Sequence, residues 1–135
     1  MITAVDTNVL LDVFGADASF GEASAKAIRH CLREGALVAC EVVWAEAATA
    51  FQDDEAFRLA MTELGVAFEP MSEEAALSAA KAWRGYRARG GNRSRIASDF
   101  LIGAHARQAA DRLLTRDRGF YREVFRGLKV LDPSA

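Results

Sequence analysis

The sequence predicts an α/β fold, a three-layer α/β/α sandwich built on a short, mostly parallel central sheet of about five strands. Two observations lead there. Short apolar runs at residues 2–5, 36–40, 66–68, 112–115 and 128–131 are too brief for core helices and suit strands buried on both faces. Segments with helical periodicity fill the intervals between them. Strands alternating with helices imply parallel pairing and helices on both sides of the sheet.

Taken in order, residues 2–5 form the first strand, and Thr7 and Asn8 start a helix with apolar positions Val9, Leu10, Val13 and Phe14. Residues 15–19 read as a loop. A helix over 20–34 carries Ala23, Ala27, Ile28, Cys31 and Leu32 on one face and stops at Gly35. The strand at 36–40 leads into a helix over 41–51, and a further helix over 53–64 ends at Gly65. After the strand at 66–68, Ser72, Glu73 and Glu74 open an alanine-rich helix reaching about Arg89, with negative charge suitably at its N-terminus. Gly90-Gly91-Asn92 breaks it. A helix over 96–110, a strand at 112–115, a short helix at 120–125 and a strand at 128–131 complete the chain.

The totals set bounds. A chain of 135 residues suggests one domain, over residues 1–135, with a single core. No apolar run approaches the roughly 20 residues that span a bilayer. The N-terminus has Asp6 and Asp12 and no basic segment, unlike a signal peptide. Cys31 and Cys40 fit no zinc spacing and read as reduced core residues, which with the rest implies a cytoplasmic protein. The net charge of −2 hides an asymmetry: residues 1–83 carry 5 basic and 14 acidic side chains, residues 84–135 carry 12 and 5. Eleven of those twelve basic residues are arginine, whose fork suits phosphate contacts. An acidic cluster beside an arginine-rich segment suits a polyanion held near a metal.

Four carboxylates stand out. Asp6 lies where the first strand hands over to a helix, the edge at which open α/β sheets bind ligands, although an aspartate there also makes an ordinary helix cap. On a helical wheel Ile96, Ile102, Gly103, Ala106 and Ala110 fall within ~60° of Asp99, so the sheet-facing side of that helix centres on an acid. Val42, Val43, Thr49 and Ala50 flank Glu46 in the same way. Asp117 follows the fourth strand and reaches the same edge as Asp6. A buried unpaired carboxylate costs several kcal/mol, so each needs a partner, which an arginine or a cation can supply. If the four converge, they repel and raise one another's pKa unless a cation sits among them. Oxygen ligands without His or Cys suit a hard ion, Mg²⁺ or Mn²⁺.

The residues Asp6-Thr7-Asn8, Glu46, Asp99 with the following Phe100 to Ala106, and Thr115-Arg116-Asp117-Arg118-Gly119-Phe120 resemble the PIN-domain nucleases. More narrowly they resemble the VapC toxins of bacterial VapBC toxin–antitoxin pairs, over essentially the whole chain. The resemblance implies a metal-dependent endoribonuclease with Asp6, Glu46, Asp99 and Asp117 as metal-binding acids, supported by Asn8 and Thr115. It implies in-line displacement that leaves a 5′-phosphate and a 3′-hydroxyl. It also implies a homodimer, and a VapB-like antitoxin whose C-terminal segment lies across the acidic pocket. One departure is Cys40-Glu41, where relatives often place Ser or Thr before the Glu46 helix.

Other residues read differently. Asp12 reads as a solvated or capping acid, and His30 and His105 as structural, since a triad needs a nucleophile and an orienter too. Arg93 and Arg95, in a glycine-containing loop before the Asp99 helix, are candidates for RNA phosphate contacts. Trp44, Ala48 and Phe51, with Leu101 and Ala104, form apolar faces opposite the acids, to be covered by the helix carrying Phe57 and Met61 or by a second subunit. A phospho-acceptor module would need a second acid beside Asp6, where Thr7 stands. A haloacid-dehalogenase phosphatase would need an acid at Asn8. A PIN nuclease of RNA processing or an idle PIN-fold binding module remain the alternatives.

Overall fold

β1 (Ile2–Val5) lies at the centre of the sheet, and the chain winds outward from it in two directions. The computed structural model describes residues 1–92 and 94–134. After β1 come α1 (Thr7–Phe14), α2 (Gly21–Glu34), β2 (Ala36–Ala39), α3 (Glu41–Ala48), α4 (Asp54–Leu64) and β3 (Val66–Phe68). Then follow α5 (Glu73–Ala88), α6 (Ala97–Ala109), β4 (Arg112–Leu114), α7 (Arg118–Val124) and β5 (Val130–Leu131). The strand order is β3-β2-β1-β4-β5, with every neighbouring pair parallel, and the helices flank the sheet as the sandwich requires.

The chain first adds β2 and β3 on one side of β1, then crosses to lay down β4 and β5 on the other. The winding therefore reverses between β1 and β4. Ile2 to Ala4 pair with Ala36 to Val38, and Thr3 to Val5 with Arg112 to Leu114. The central strands are mostly apolar because both their faces are covered, whereas at the edges β5 stays half-buried and β3 exposes Ala67 and Phe68. An aromatic cluster of Trp83, Tyr86, Phe100, Phe120, Tyr121 and Phe125 ties α5, α6 and α7 together, its ring centroids 5.1–6.3 Å apart. Gly103 makes that packing possible, since a Cβ there would lie 2.3 Å from the Phe125 ring.

Two of the element boundaries that differ from expectation do so for identifiable reasons. The helix expected over 41–51 ends at Ala48, because the Thr49 hydroxyl donates to the Glu46 carbonyl at 2.6 Å and the amides of Ala50 and Phe51 close tighter turns. Phe51 leaves the helix to meet Phe14 and Phe57 at 5.1 and 5.5 Å. The last strand is only Val130–Leu131, since the Leu128 amide bonds back to the Phe125 carbonyl in a turn. Cys31 and Cys40 are free and buried, as expected. Among the described residues no helix is long and apolar enough to cross a membrane.

Candidate functional site

Where the winding reverses, the carboxyl ends of β1 and β4 part and a crevice opens. Asp6 is the first residue beyond β1, and Asp117 lies three beyond the end of β4. Glu46 sits in the second turn of α3, the helix that leaves β2 at the same edge. Asp99 sits in the first turn of α6, which starts at that edge to bring the chain back to the start of β4. The four acids line one open cleft of about 460 Å³, together with Thr7, Asn8, Leu11, Thr49 and Ile102.

Asp6 is the most constrained. It caps α1, accepting from the Thr7 amide at 2.7 Å, and it also accepts from the Thr115 hydroxyl at 2.7 Å, so the capping role and the cleft position coincide. The Asn8 amide lies 3.4 Å from both the Asp6 carboxylate and the Thr115 hydroxyl, and the Tyr121 phenol stands near Asp6. Burial nonetheless pushes the Asp6 carboxyl up from 3.8 to about 6, with Thr115, the Thr7 amide and Tyr121 pulling down and Asp99 adding a small upward push. Burial also raises Asp99, against the Ile96 amide and Arg95, with Asp117 and Glu46 adding repulsion. Mutual repulsion contributes at both acids but is a lesser cause than burial. The Tyr121 phenol, buried and facing the acids, is pushed far above its ordinary range.

The acids share a cleft without meeting at a point: among the described residues no three His, Cys, Asp or Glu side chains stand close enough to hold an ion between them. Arg95 and Thr7 explain the spread. The Arg95 guanidinium forks onto both oxygens of Asp117, lies 3.9 Å from Asp99, and covers the Phe120 ring at 4.2 Å. The Thr7 hydroxyl donates to Glu46 at 2.6 Å and draws it to the other wall. Arg95 thus stands on the acids and is not free in a loop, while Arg93 lies outside the described residues.

Several expectations change. Glu46 does not centre an apolar face: Val43 and Ala47 are the buried residues of α3, and Glu46 lies at the rim with Thr49 and Ala50 exposed. The shorter helix removes half of the face that the wheel assumed. Ile96 is 58% exposed, so Asp99 stands at the end of the packed side of α6, reaching back to the Ile96 amide at 3.3 Å. Asp12 is buried, not solvated. It accepts two bonds from Arg116 at 2.7 and 2.9 Å and one from the Ser24 hydroxyl at 2.8 Å. His30 pairs with Glu34 on the surface, and His105 is buried, its ring held neutral by desolvation. Cys40 heads α3 without a side-chain cap bond. Trp44 packs on Phe57 and Phe68 at 5.4 and 5.1 Å, so α4 and β3 cover most of that face.

Thr7, Tyr121 and Arg116 were not singled out from the sequence. Thr7 carried a usable signal, a hydroxyl beside a strand-end acid. Arg116 joins the site through its backbone amide, which donates to Asn8 at 3.2 Å. Thr115 is the hinge of the network, since its hydroxyl also accepts from the Asp117 amide at 3.0 Å. The donor chemistry fits a hard divalent ion: four carboxylates, two of them raised by burial, with no sulfur or imidazole in the lining.

Comparison with known proteins agrees with this architecture. A chain of the VapBC2 complex from Rickettsia felis bound to its promoter DNA superposes with a TM-score of 0.75 at 15% identity, covering 98% of each chain. VapBC-1 from nontypeable Haemophilus influenzae gives 0.75 at 21% over all of both chains, and a toxin–antitoxin complex from Klebsiella pneumoniae gives 0.66 at 19% over 97% of each. These likenesses concern the fold. No curated protein sequence matches. The PIN domain model matches residues 3–124, a span that contains all four acids, and the chain belongs to the PIN-domain family.

Proposed function

We propose that the chain is the toxin of a type II toxin–antitoxin pair, a divalent-metal-dependent endoribonuclease acting in the cytoplasm and restrained by a VapB-like antitoxin. The observation that carries this reading is the gathering of Asp6, Glu46, Asp99 and Asp117 in one cleft at the reversal of the sheet. The toxin–antitoxin complexes among the similar structures support the partner. Mg²⁺, with Mn²⁺ as substitute, suits the donors; when bound it polarises the scissile phosphate and acidifies the attacking water. The side chains supply the frame. Thr115 holds Asp6 and the Asp117 amide in mutual register, Asn8 backs both, and Thr7 restrains Glu46. Arg95 neutralises Asp117 until phosphate or metal competes for one of them.

A labelled single-stranded RNA incubated with the purified protein tests the reading. Cleavage is expected with Mg²⁺ and none in EDTA. Asp99→Asn, Glu46→Gln and Asp117→Asn are each expected to slow it by about 100-fold or more while circular dichroism stays native. Wild-type rates in Asp99→Asn would remove that acid from the site. A homodimer belongs to the same proposal, with Phe68, 48% exposed beside Trp44, in the contact. Light scattering at tens of micromolar would refute it by returning a monomer.

A further inference from the structure

A second pocket, of about 530 Å³, opens between α5 and the loop before α6. Its lining is Trp83, Tyr86, Arg87, Gly90, Gly91, Asn92 and Arg95, two aromatic rings and two arginines without a carboxylate. Its floor is pre-formed. The Asn92 amide donates to the Tyr86 hydroxyl at 3.0 Å, and the Gly91 amide to the Tyr86 carbonyl at 2.9 Å. A Cβ on Gly91 would lie 2.4 Å from the Tyr86 ring, so the glycine lets the loop lie flat on the phenol. Trp83 stacks on Phe100 at 5.5 Å and 14°, and the Arg87 guanidinium stands 5.1 Å from its ring centroid.

Arg95 lines this pocket and also forks onto Asp117, so one side chain separates the pocket from the acidic cleft. We propose that the pocket takes one nucleotide of the RNA, adjoining the nucleotide whose phosphate lies at the acids. The base stacks against Trp83 in the place Arg87 now covers, and the adjoining phosphate lies between Arg87 and Arg95. The chemistry is complementary: aromatic faces accept any base, arginine forks suit phosphate, and the volume falls within the range of small-ligand sites. This inference rests on the RNA-cleaving reading, whose substrate contacts it specifies.

The test is binding, measured without catalysis. A fluorescein-labelled single-stranded RNA 12-mer is titrated in EDTA, where no cleavage is expected, and followed by anisotropy at several salt concentrations. Arg87→Ala, on an exposed side chain, is expected to weaken binding by about 10-fold and to reduce the salt slope by about one phosphate contact. Arg29→Ala, on α2, is expected to leave both unchanged. Trp83 supports Phe100, so its role is read without altering it: in a Trp44→Phe background it is the sole tryptophan, and RNA is expected to quench its emission. Unchanged affinity in Arg87→Ala, or unquenched Trp83 at saturating RNA, would overturn the proposal. Quenching by an acidic peptide but not by RNA would overturn it in favour of a protein partner. RNA that binds with the expected losses but is never cleaved when Mg²⁺ is added would leave the pocket standing and sink the nuclease reading.

Discussion

Replacing Asp6 by asparagine is expected to stabilise the metal-free protein while destroying its activity. The carboxyl titrates at about 6 in the fold against 3.8 outside it, with burial the principal cause. A raised acid favours the fold while protonated and opposes it once ionised, so stability is lost as pH rises from about 4 through about 6. The shift of about 2 units corresponds to about 3 kcal/mol at pH 8, falling to about 1.5 kcal/mol at pH 5. Asparagine removes the charge but leaves the Thr115 hydroxyl without its best acceptor, at a cost of about 1 kcal/mol. The expected net gain is about 2 kcal/mol at pH 8, or roughly 7 °C in melting temperature for a chain of this size, and below about 1 kcal/mol at pH 5. His105 works in the opposite sense, since burial lowers its pKa and the fold resists its protonation as pH falls below 6.5. It is common to both proteins and cancels when they are compared at each pH. The assay is paired thermal melts in EDTA at the two pH values, repeated with Mg²⁺, where only the wild type is expected to gain stability. An Asp6→Asn protein that melts below wild type at pH 8 would show that the hydrogen bonds outweigh burial and refute the reasoning.

Two further outcomes follow from the ion pairs. Arg95→Ala is expected to tighten Mg²⁺ binding several-fold by calorimetry, because Asp117 loses its internal cation, while costing no more than about 1 kcal/mol in a partly exposed pair. Unchanged Mg²⁺ affinity would mean that Arg95 and the ion do not compete. Arg116→Ala strands Asp12, which is only 4% exposed, and is expected to cost about 3 kcal/mol in denaturant unfolding. Arg116→Lys should recover only part, because the two-pronged bond needs a fork; full recovery would contradict that.

Strands, helices and the acid-bearing edge were legible because they depend on local pattern and on the rule that parallel sheets bind ligands at their carboxyl ends. The positions of the side chains within the cleft were not, because they depend on pairings between distant segments. Asp12 looked solvated until Arg116, 104 residues away, closed on it, and nothing near it in sequence announces that partner. Arg95 reads as a phosphate contact from its charge, which is local information, but its fork on Asp117, 22 residues away, is not legible in the sequence. Glu46 was misplaced by three residues of helix: a wheel drawn to Phe51 counts faces that the Thr49 hydroxyl bond dissolves.

The placement of β4 beside β1 also has a consequence for the order of events during folding. Asp6 belongs to the first residues of the chain, yet its Thr115 partner is separated from it by 109 positions, and Asp117 lies further still. β2 and β3 can pair on one side of β1 early, leaving its other edge open until residues 112–114 arrive. Closing so long a loop is slow and comes late in folding, since its entropy is lost before the contacts compensate. Until that moment Asp6 lacks its hydroxyl donor and the cleft lacks Asp117. A chain still in synthesis, or cut just before Arg112, therefore carries three of the five strands and every acid of the cleft but Asp117, without the Thr115 bond that holds Asp6.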